Sequence, residues 1–243
     1  FITRFTFDGE LDWSTYYGGI GEDLVTDVEV DPQGNVIISG NSNSFTDAAT
    51  SCSAPIGFDS GLPYCWPAGA YNQLHQPGYA NDAFIAKFDV NNLNLIWGTR
   101  IGGPAQESES FLAPSPKLSV DSTGNIYLFG NTRSGSSDSG NDYQSSFPTL
   151  DHPDFYYSND HADYGVGNLN SGHWDMFIMG YNNNGALFWS TYFGGTGPTV
   201  KEPDYAAEIV STGEKVYICG FTNSTTSFPL NQPNTPNPYY QDQ

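Results

Sequence analysis

Two short runs in this chain set carboxylates beside imidazoles: Asp151-His152-Pro153-Asp154 and Asp160-His161-Ala162-Asp163. Three of the four histidines fall in this stretch, His173 being the third. Asp151, His152, Asp154, Asp160, His161 and Asp163 are therefore candidate ligands for a divalent cation, Ca2+ among them. Their spacing matches no helical His-x-x-x-His set, and Asp is also a turn former, so a solvated polar loop explains the same residues. A second cation signal is Gly18-Gly19-Ile20-Gly21-Glu22-Asp23-Leu24, which fits the calcium nonapeptide of β-helices. That motif works in tandem, with successive turns sharing each ion, and here it stands once. A loop after a strand is the plainer reading.

Aromatic rings outside the repeated segments could stack on a sugar. Tyr64, Trp66, Tyr143, Tyr156 and Tyr157 are the candidates, with Tyr71, Phe155 and Tyr164 nearby in sequence. A ring face beside Asp and Asn acceptors suits carbohydrate, although the same rings can anchor long loops to a scaffold. Catalytic signatures are thin. There is no Gly-x-Ser-x-Gly elbow, no His-Glu-x-x-His and no phosphate loop. With 27 Asp and Glu, a glycosidase-like carboxylate pair is always available, so abundance argues nothing. The chain is expected to lack a catalytic set. A polysaccharide-degrading enzyme using carboxylates on one face is the rival, and a passive spacer the second.

The elements that must carry these residues repeat. Trp-x-Thr-x-x-Gly-Gly begins at Trp13, Trp97 and Trp189, in steps of 84 and 92 residues. Its Trp13, Gly18, Gly19, Trp97, Gly102, Gly103, Trp189, Gly194 and Gly195 recur at fixed places, which marks builders of a unit rather than one-off chemistry. Before each Trp strand lies another: Phe1 to Phe5, Phe84 to Phe88, Phe177 to Tyr181. Asp8-Gly9 and Asn184-Gly185 between them suggest type I′ hairpin turns. A third strand ends at Asp31 or Asp121 in an Asp-x-x-Gly turn, for which the third unit has Ser211-Thr212-Gly213. The fourth strands, Val36 to Gly40, Ile126 to Gly130 and Val216 to Gly220, are apolar on both faces. Double-sided burial means small sheets sandwiched between neighbours. The expected fold is all-β: three four-stranded blades (about 1–44, 82–134 and 174–226) of a larger β-propeller, in one segment spanning 1–243. Long inserts at 45–81 and 135–173 are expected as surface loops, with the start of another at 227–243.

Composition agrees and excludes much. With 27 Gly, 16 Pro, 16 Phe, 16 Tyr and 5 Trp in 243 residues, short strands and frequent turns are favoured. A net charge of −20 repels nucleic acid and anionic membranes. No apolar run is long enough to cross a bilayer. The chain starts in a strand pattern without Met, which reads as a segment of something longer. Of three cysteines, Cys52 and Cys65 are expected to pair and Cys219 to be a buried thiol; pairing implies an oxidising, exported location.

Taken together, Asp82 to Phe88, the Trp motifs, Val30 to Gly40, Val120 to Ser134, and the pairs Phe147-Pro148 and Phe228-Pro229 resemble the bacterial SBBP-type β-propeller repeat. The resemblance covers all three units apart from the inserts. It implies a module of large exported or surface proteins, adhesin-like or matrix components, frequent in Bacteroidetes-like bacteria and often moved by type IX secretion. It brings no shared catalytic residues and no cofactor. The partners it suggests are a glycan or a surface or secretion-system protein, with the rest of the ring supplied by the same longer chain or by another copy.

Overall fold

The repeated segments form twelve strands and the first insert two more in the computed structural model, which describes residues 1–44, 47–49, 52, 61–71, 73, 81–103, 105–107, 115–134, 147–158, 174–195, 204–224 and 228–231. In chain order they are β1 (Ile2–Phe5), β2 (Leu11–Thr15), β3 (Asp23–Val30), β4 (Val36–Ser42), β5 (Asp47–Ala49), β6 (Leu62–Tyr64), β7 (Asp82–Phe88), β8 (Leu95–Ile101), β9 (Lys117–Val120), β10 (Ile126–Thr132), β11 (Asp175–Tyr181), β12 (Leu187–Phe193), β13 (Tyr205–Ser211) and β14 (Val216–Phe221). No helix occurs among the described residues. Two sheets have four antiparallel strands, in the orders β3-β4-β7-β8 and β9-β10-β11-β12. The hairpins β1-β2 and β13-β14 stand as two-stranded sheets, and β5 pairs with β6 in parallel.

The sheet and the sequence unit are out of phase. Reading from the Phe strand places β1 to β4, β7 to β10 and β11 to β14 together. Each four-stranded sheet instead takes the last two strands of one unit and the first two of the next. The pairing that joins them is β4 with β7, from Val36↔Phe88 to Ser42↔Asp82, and β10 with β11, from Ile126↔Tyr181 to Thr132↔Asp175. Both pairings reach across an insert.

Alternation along these strands builds a stack of layers. Phe84, Ala86 and Phe88 of β7 join Val36 and Ile38 of β4 against Ile2 and Tyr17 beside the first hairpin. Ala83 and Ile85, with Ile37, Trp97 and Ile101, face the other way and meet Leu118, Ile126, Leu128, Phe177, Met179 and Tyr181 of the next sheet. That sheet's far face, with Tyr127, Phe129, Met176, Ile178 and Trp189, packs on Ala206 and Ile209 of the last hairpin. β4, β7, β10 and β11 are buried at every residue because each sheet has a neighbour on both sides. β14 is not, and Cys219, expected to be buried, is exposed: nothing described covers the outer face of the last hairpin.

Turn chemistry fixes the ends of the strands. Asp31 accepts from the backbone N–H of Gln33 and Asn35 at 2.9 and 2.8 Å, and its carbonyl accepts from Gly34. Asp121 repeats this with Thr123, Asn125 and Gly124. The Asp8-Gly9 and Asn184-Gly185 turns differ from expectation. Type I′ needs positive φ at both central residues. Gly9 and Gly185 have it, but among described non-glycine residues only Leu93 does. The turns are therefore of the type I plus glycine-bulge form, and register shifts at Arg4/Phe5 and Gly180/Tyr181 record the bulge. Leu93, at φ 59°, holds the corresponding place in the longer middle turn.

Candidate functional site

The threonine of Trp-x-Thr decides where the inserts lie. Thr99 Oγ1 accepts the backbone N–H of Gln73 at 2.9 Å, and Thr191 Oγ1 accepts that of Ser158 at 2.8 Å. Beside these contacts each insert runs against the edge of a sheet. Gly98 N–H donates to the Cys65 carbonyl at 2.8 Å, and Leu150 and Ser190 exchange two backbone bonds at 3.0 Å. Gly98 and Ser190 are the same motif position, directly after the Trp. The inserts are thus clipped to β8 and β12 by the repeat itself.

The first insert is further closed by the Cys52–Cys65 disulfide, with Cα atoms 5.3 Å apart, inside the roughly 7 Å a bridge needs. From this clip Tyr64 and Trp66 project with rings stacked at 4.8 Å, Tyr64 buried and Trp66 37% exposed. On the second insert Tyr156 is 49% exposed and meets Phe193 edge-on, while its carbonyl accepts from Trp189 Nε1 at 2.8 Å. Burial raises the Tyr156 hydroxyl above its ordinary range, with Ser158 partly opposing. Tyr157 is half-buried next to it. Between the inserts lies an open depression of about 360 Å³, lined by Gly69, Ala70 and Tyr71 from the first and Pro148, Thr149 and Leu150 from the second, with Leu187. It carries no carboxylate.

The repeat tryptophans sit in the layers. Trp97 is buried against Tyr181, Trp189 stacks on Phe155 at 4.9 Å, and Trp13 lies half-buried under the Arg4 guanidinium. Of the cation candidates, His152 Nδ1 accepts the Asp154 N–H at 3.2 Å, and its ring meets Phe155 edge-on. Asp151 and Asp154 are exposed beside it. Among the described residues no three Asp, Glu, His or Cys gather as ligands. Asp160, His161, Asp163 and Tyr143 lie outside the described residues.

Carboxylates do come together elsewhere, at positions that no motif marks. After each Gly-Gly an acid accepts the second glycine's N–H: Asp23 from Gly19 at 2.8 Å, Glu107 from Gly103 at 3.1 Å, Asp204 from Gly195 at 3.0 Å. A serine hydroxyl then donates to the same acid: Ser44 to Asp23, Ser134 to Glu107, Ser224 to Asp204. Next in the chain of contacts, the Ser44 carbonyl takes a bond from Arg100 and the Ser134 carbonyl one from Tyr192, residues at one motif position. The first two brackets therefore tie one unit to the next. The glycines are needed for room: a Cβ on Gly102 would stand 2.7 Å from oxygens of both Asp82 and Glu107. Burial, then the charge of Asp82, push the Glu107 carboxyl well above the usual range, against hydrogen bonds from Ser134, Gly103 and Thr132. Glu107 and Asp204 are nearly inaccessible, which suits structure and not substrate. The acids stand four, four and nine residues after the second glycine, so the constant signal in the sequence is the serine four places after Gly40, Gly130 and Gly220.

Comparison of the sequence with protein-family models and with curated proteins finds no match. Among the described residues no helix is long and apolar enough to cross a membrane.

Proposed function

We propose that the chain is a β-propeller segment of the SBBP type. It serves as a non-catalytic scaffold and binding region of an exported, adhesin-like bacterial surface protein carried by type IX secretion. Its face-to-face four-stranded sheets support the propeller reading. The disulfide supports an oxidising location.

One observation carries the binding role. The repeat clips both inserts to sheet edges through equivalent threonines, and the clipped segments present Trp66 and Tyr156 to solvent. An aromatic surface with a shallow apolar depression suits a glycan or a protein loop. The burial of Glu107 and Asp204 supports a structural rather than catalytic role for those two acids.

A glycan array and surface-protein pull-down with the wild-type chain, followed by isotherms, test this. Trp66→Ala and Tyr156→Ala are expected to weaken the bound ligand at least about tenfold, roughly 1.4 kcal/mol each. Binding unaffected by both substitutions, or turnover of a polysaccharide by the chain, would overturn the reading.

A further inference from the structure

Two buried acid pairs occupy equivalent places in the second and third units, and each leaves one carboxylate oxygen unanswered. In the second unit the pair is Asp82, first residue of β7, and Glu107, the bracket acid that follows β8. They are 3% and 0% exposed. In the third unit it is Asp175, first residue of β11, and Asp204, at 2% and 1%. Backbone bonds set the acids of a pair side by side. Glu107 N–H donates to the Asn81 carbonyl and Asp204 N–H to the Trp174 carbonyl, both at 2.9 Å, and these are the residues just before Asp82 and Asp175.

One oxygen of each bracket acid holds the bracket. Glu107 Oε1 accepts from Gly103, Thr132 and Ser134, and Asp204 Oδ2 from Gly195 and Ser224. The other oxygen, Glu107 Oε2 or Asp204 Oδ1, is buried with no hydrogen-bond partner. Such an orphan points to an occupant, because a buried carboxylate oxygen with nothing to meet it is costly. Glu107 Oε2 is aimed at Asp82. It and Asp82 Oδ1 each lie 2.7 Å from the point that a Cβ on Gly102 would fill, so both border the room this glycine leaves. Arg100 stands on the other side of Asp82, 3.9 Å from Oδ2. At Gly194 the same point lies 2.6 Å from Asp175 Oδ1 and 3.0 Å from Asp204 Oδ2. The second glycine and the bracket acid are four residues apart in one unit and nine in the other, yet a carboxylate reaches the same spot. A bracket alone would be served by a single amide oxygen.

We propose that each pair, Asp82 with Glu107 and Asp175 with Asp204, binds one divalent cation of calcium's size. Ca2+ takes carboxylate oxygens at about 2.3–2.6 Å and so bridges oxygens up to about 5 Å apart. Asp82 Oδ1 and Glu107 Oε2 are separated by at most twice 2.7 Å. The ion ties the start of the first strand in a unit to the segment between its second and third strands. It also offsets the repulsion that two facing carboxylates suffer away from water.

The test is calorimetric titration of the whole chain with Ca2+ at pH 7, after EDTA treatment and dialysis. Two ions per chain are expected. Glu107→Gln and Asp204→Asn, whose amide oxygens still accept from Gly103 and Gly195, are each expected to leave one, and the double variant none. Ca2+ at about 10 mM, some tenfold above the weakest extracellular sites, is expected to raise the wild-type melting temperature by about 3 °C or more. Each single variant should show a smaller rise and the double variant none. In EDTA, Glu107→Gln only relieves the facing charges, so every variant is read against its own ion-free melt. Asp154→Asn, in the exposed Asp-His run, is expected to change neither the stoichiometry nor the rise. No binding and no rise in the wild type would overturn the proposal and leave a shared proton as the means of neutralising each pair. Calcium binding that survives the double variant, or that depends on Asp154, would overturn it as well.

Discussion

The two four-stranded sheets and the two terminal hairpins are made of the same strands, yet their fates differ. β7 and β1 share an aromatic–aliphatic pattern; one is buried at every residue, the other keeps Phe1 and Phe5 in solvent. β10 and β14 differ in the same way. Strand chemistry is therefore set by the repeat, and burial by whether a neighbouring layer exists. An apolar residue here does not report its own burial, only the burial its equivalents enjoy when flanked. The comparison predicts that equivalent substitutions will have unequal costs.

The largest contrast is between Phe177 and Phe1. Phe177→Ala empties a position between two layers and is expected to cost about 3–5 kcal/mol. Phe1→Ala is expected to stay within about 0.5 kcal/mol for the single copy, as for surface positions generally. Chemical denaturation of both variants at low protein concentration checks the pair. Equal costs would mean that the first hairpin is covered and the contrast false.

Ion pairs sharpen the same comparison. Lys87 and Asp31 lie 2.7 Å apart with side chains almost wholly buried, and Lys87 also bonds Asn183 in the next sheet. Arg4, the equivalent of Lys87, pairs with Asp12 at the surface. Lys87→Met strands a buried carboxylate and is expected to cost about 3 kcal/mol or more. Arg4→Met is expected to cost under about 1 kcal/mol. For Asp31, burial raises the carboxyl, but bonds from Lys87 and Asn35 together outweigh it and leave it below its ordinary value. Its contribution is present above the unfolded-state value and lost as pH falls through the folded one. Acid titration of stability should accordingly flatten below about pH 4 in Asp31→Asn.

Much of this was legible beforehand, and the exceptions have physical reasons. The strand positions followed from Trp-x-Thr-x-x-Gly-Gly and from the doubly apolar fourth strands. The phase of the sheets did not, because a four-strand repeat reads the same whichever strand is taken first. Only the β4–β7 and β10–β11 pairings across the inserts break that symmetry, and no local residue announces them. The type I′ reading failed because Asp-Gly and Asn-Gly serve both turn types, the difference lying in φ at Asp8 and Asn184. Cys219 read as buried because it lies in a fourth strand apolar on both faces; Phe129, at the same position, is indeed buried, but β14 has no described layer over it. At the inserts, residue types suggested rings and acids but not the threonine clip, whose partners Gln73 and Ser158 share no sequence around them.

An effect smaller than those at Phe177 and Lys87 is the one whose sign changes with pH. Glu107 is held by Gly103, Thr132 and Ser134 through Oε1, while Oε2 has no hydrogen-bond partner and shares the crowded face of Gly102 with Asp82. Because its folded-state value lies above the unfolded one, folding takes up a proton there between the two values. The stabilisation is full below the unfolded-state value near 4.5 and is lost as pH rises through the folded one. Glu107→Gln keeps the three bonds to the oxygen and turns an amide N–H toward the Asp82 carboxylate. It is expected to raise stability at pH 7 by about 1–2 kcal/mol, the worth of a bond to a charged group. At pH 4 the gain should shrink or reverse, since the native acid is then protonated and able to donate. Thermal melts of Glu107→Gln across that pH range decide it: no gain at pH 7, or an equal gain at pH 4, would mean that the buried Asp82–Glu107 pair does not set the pH dependence.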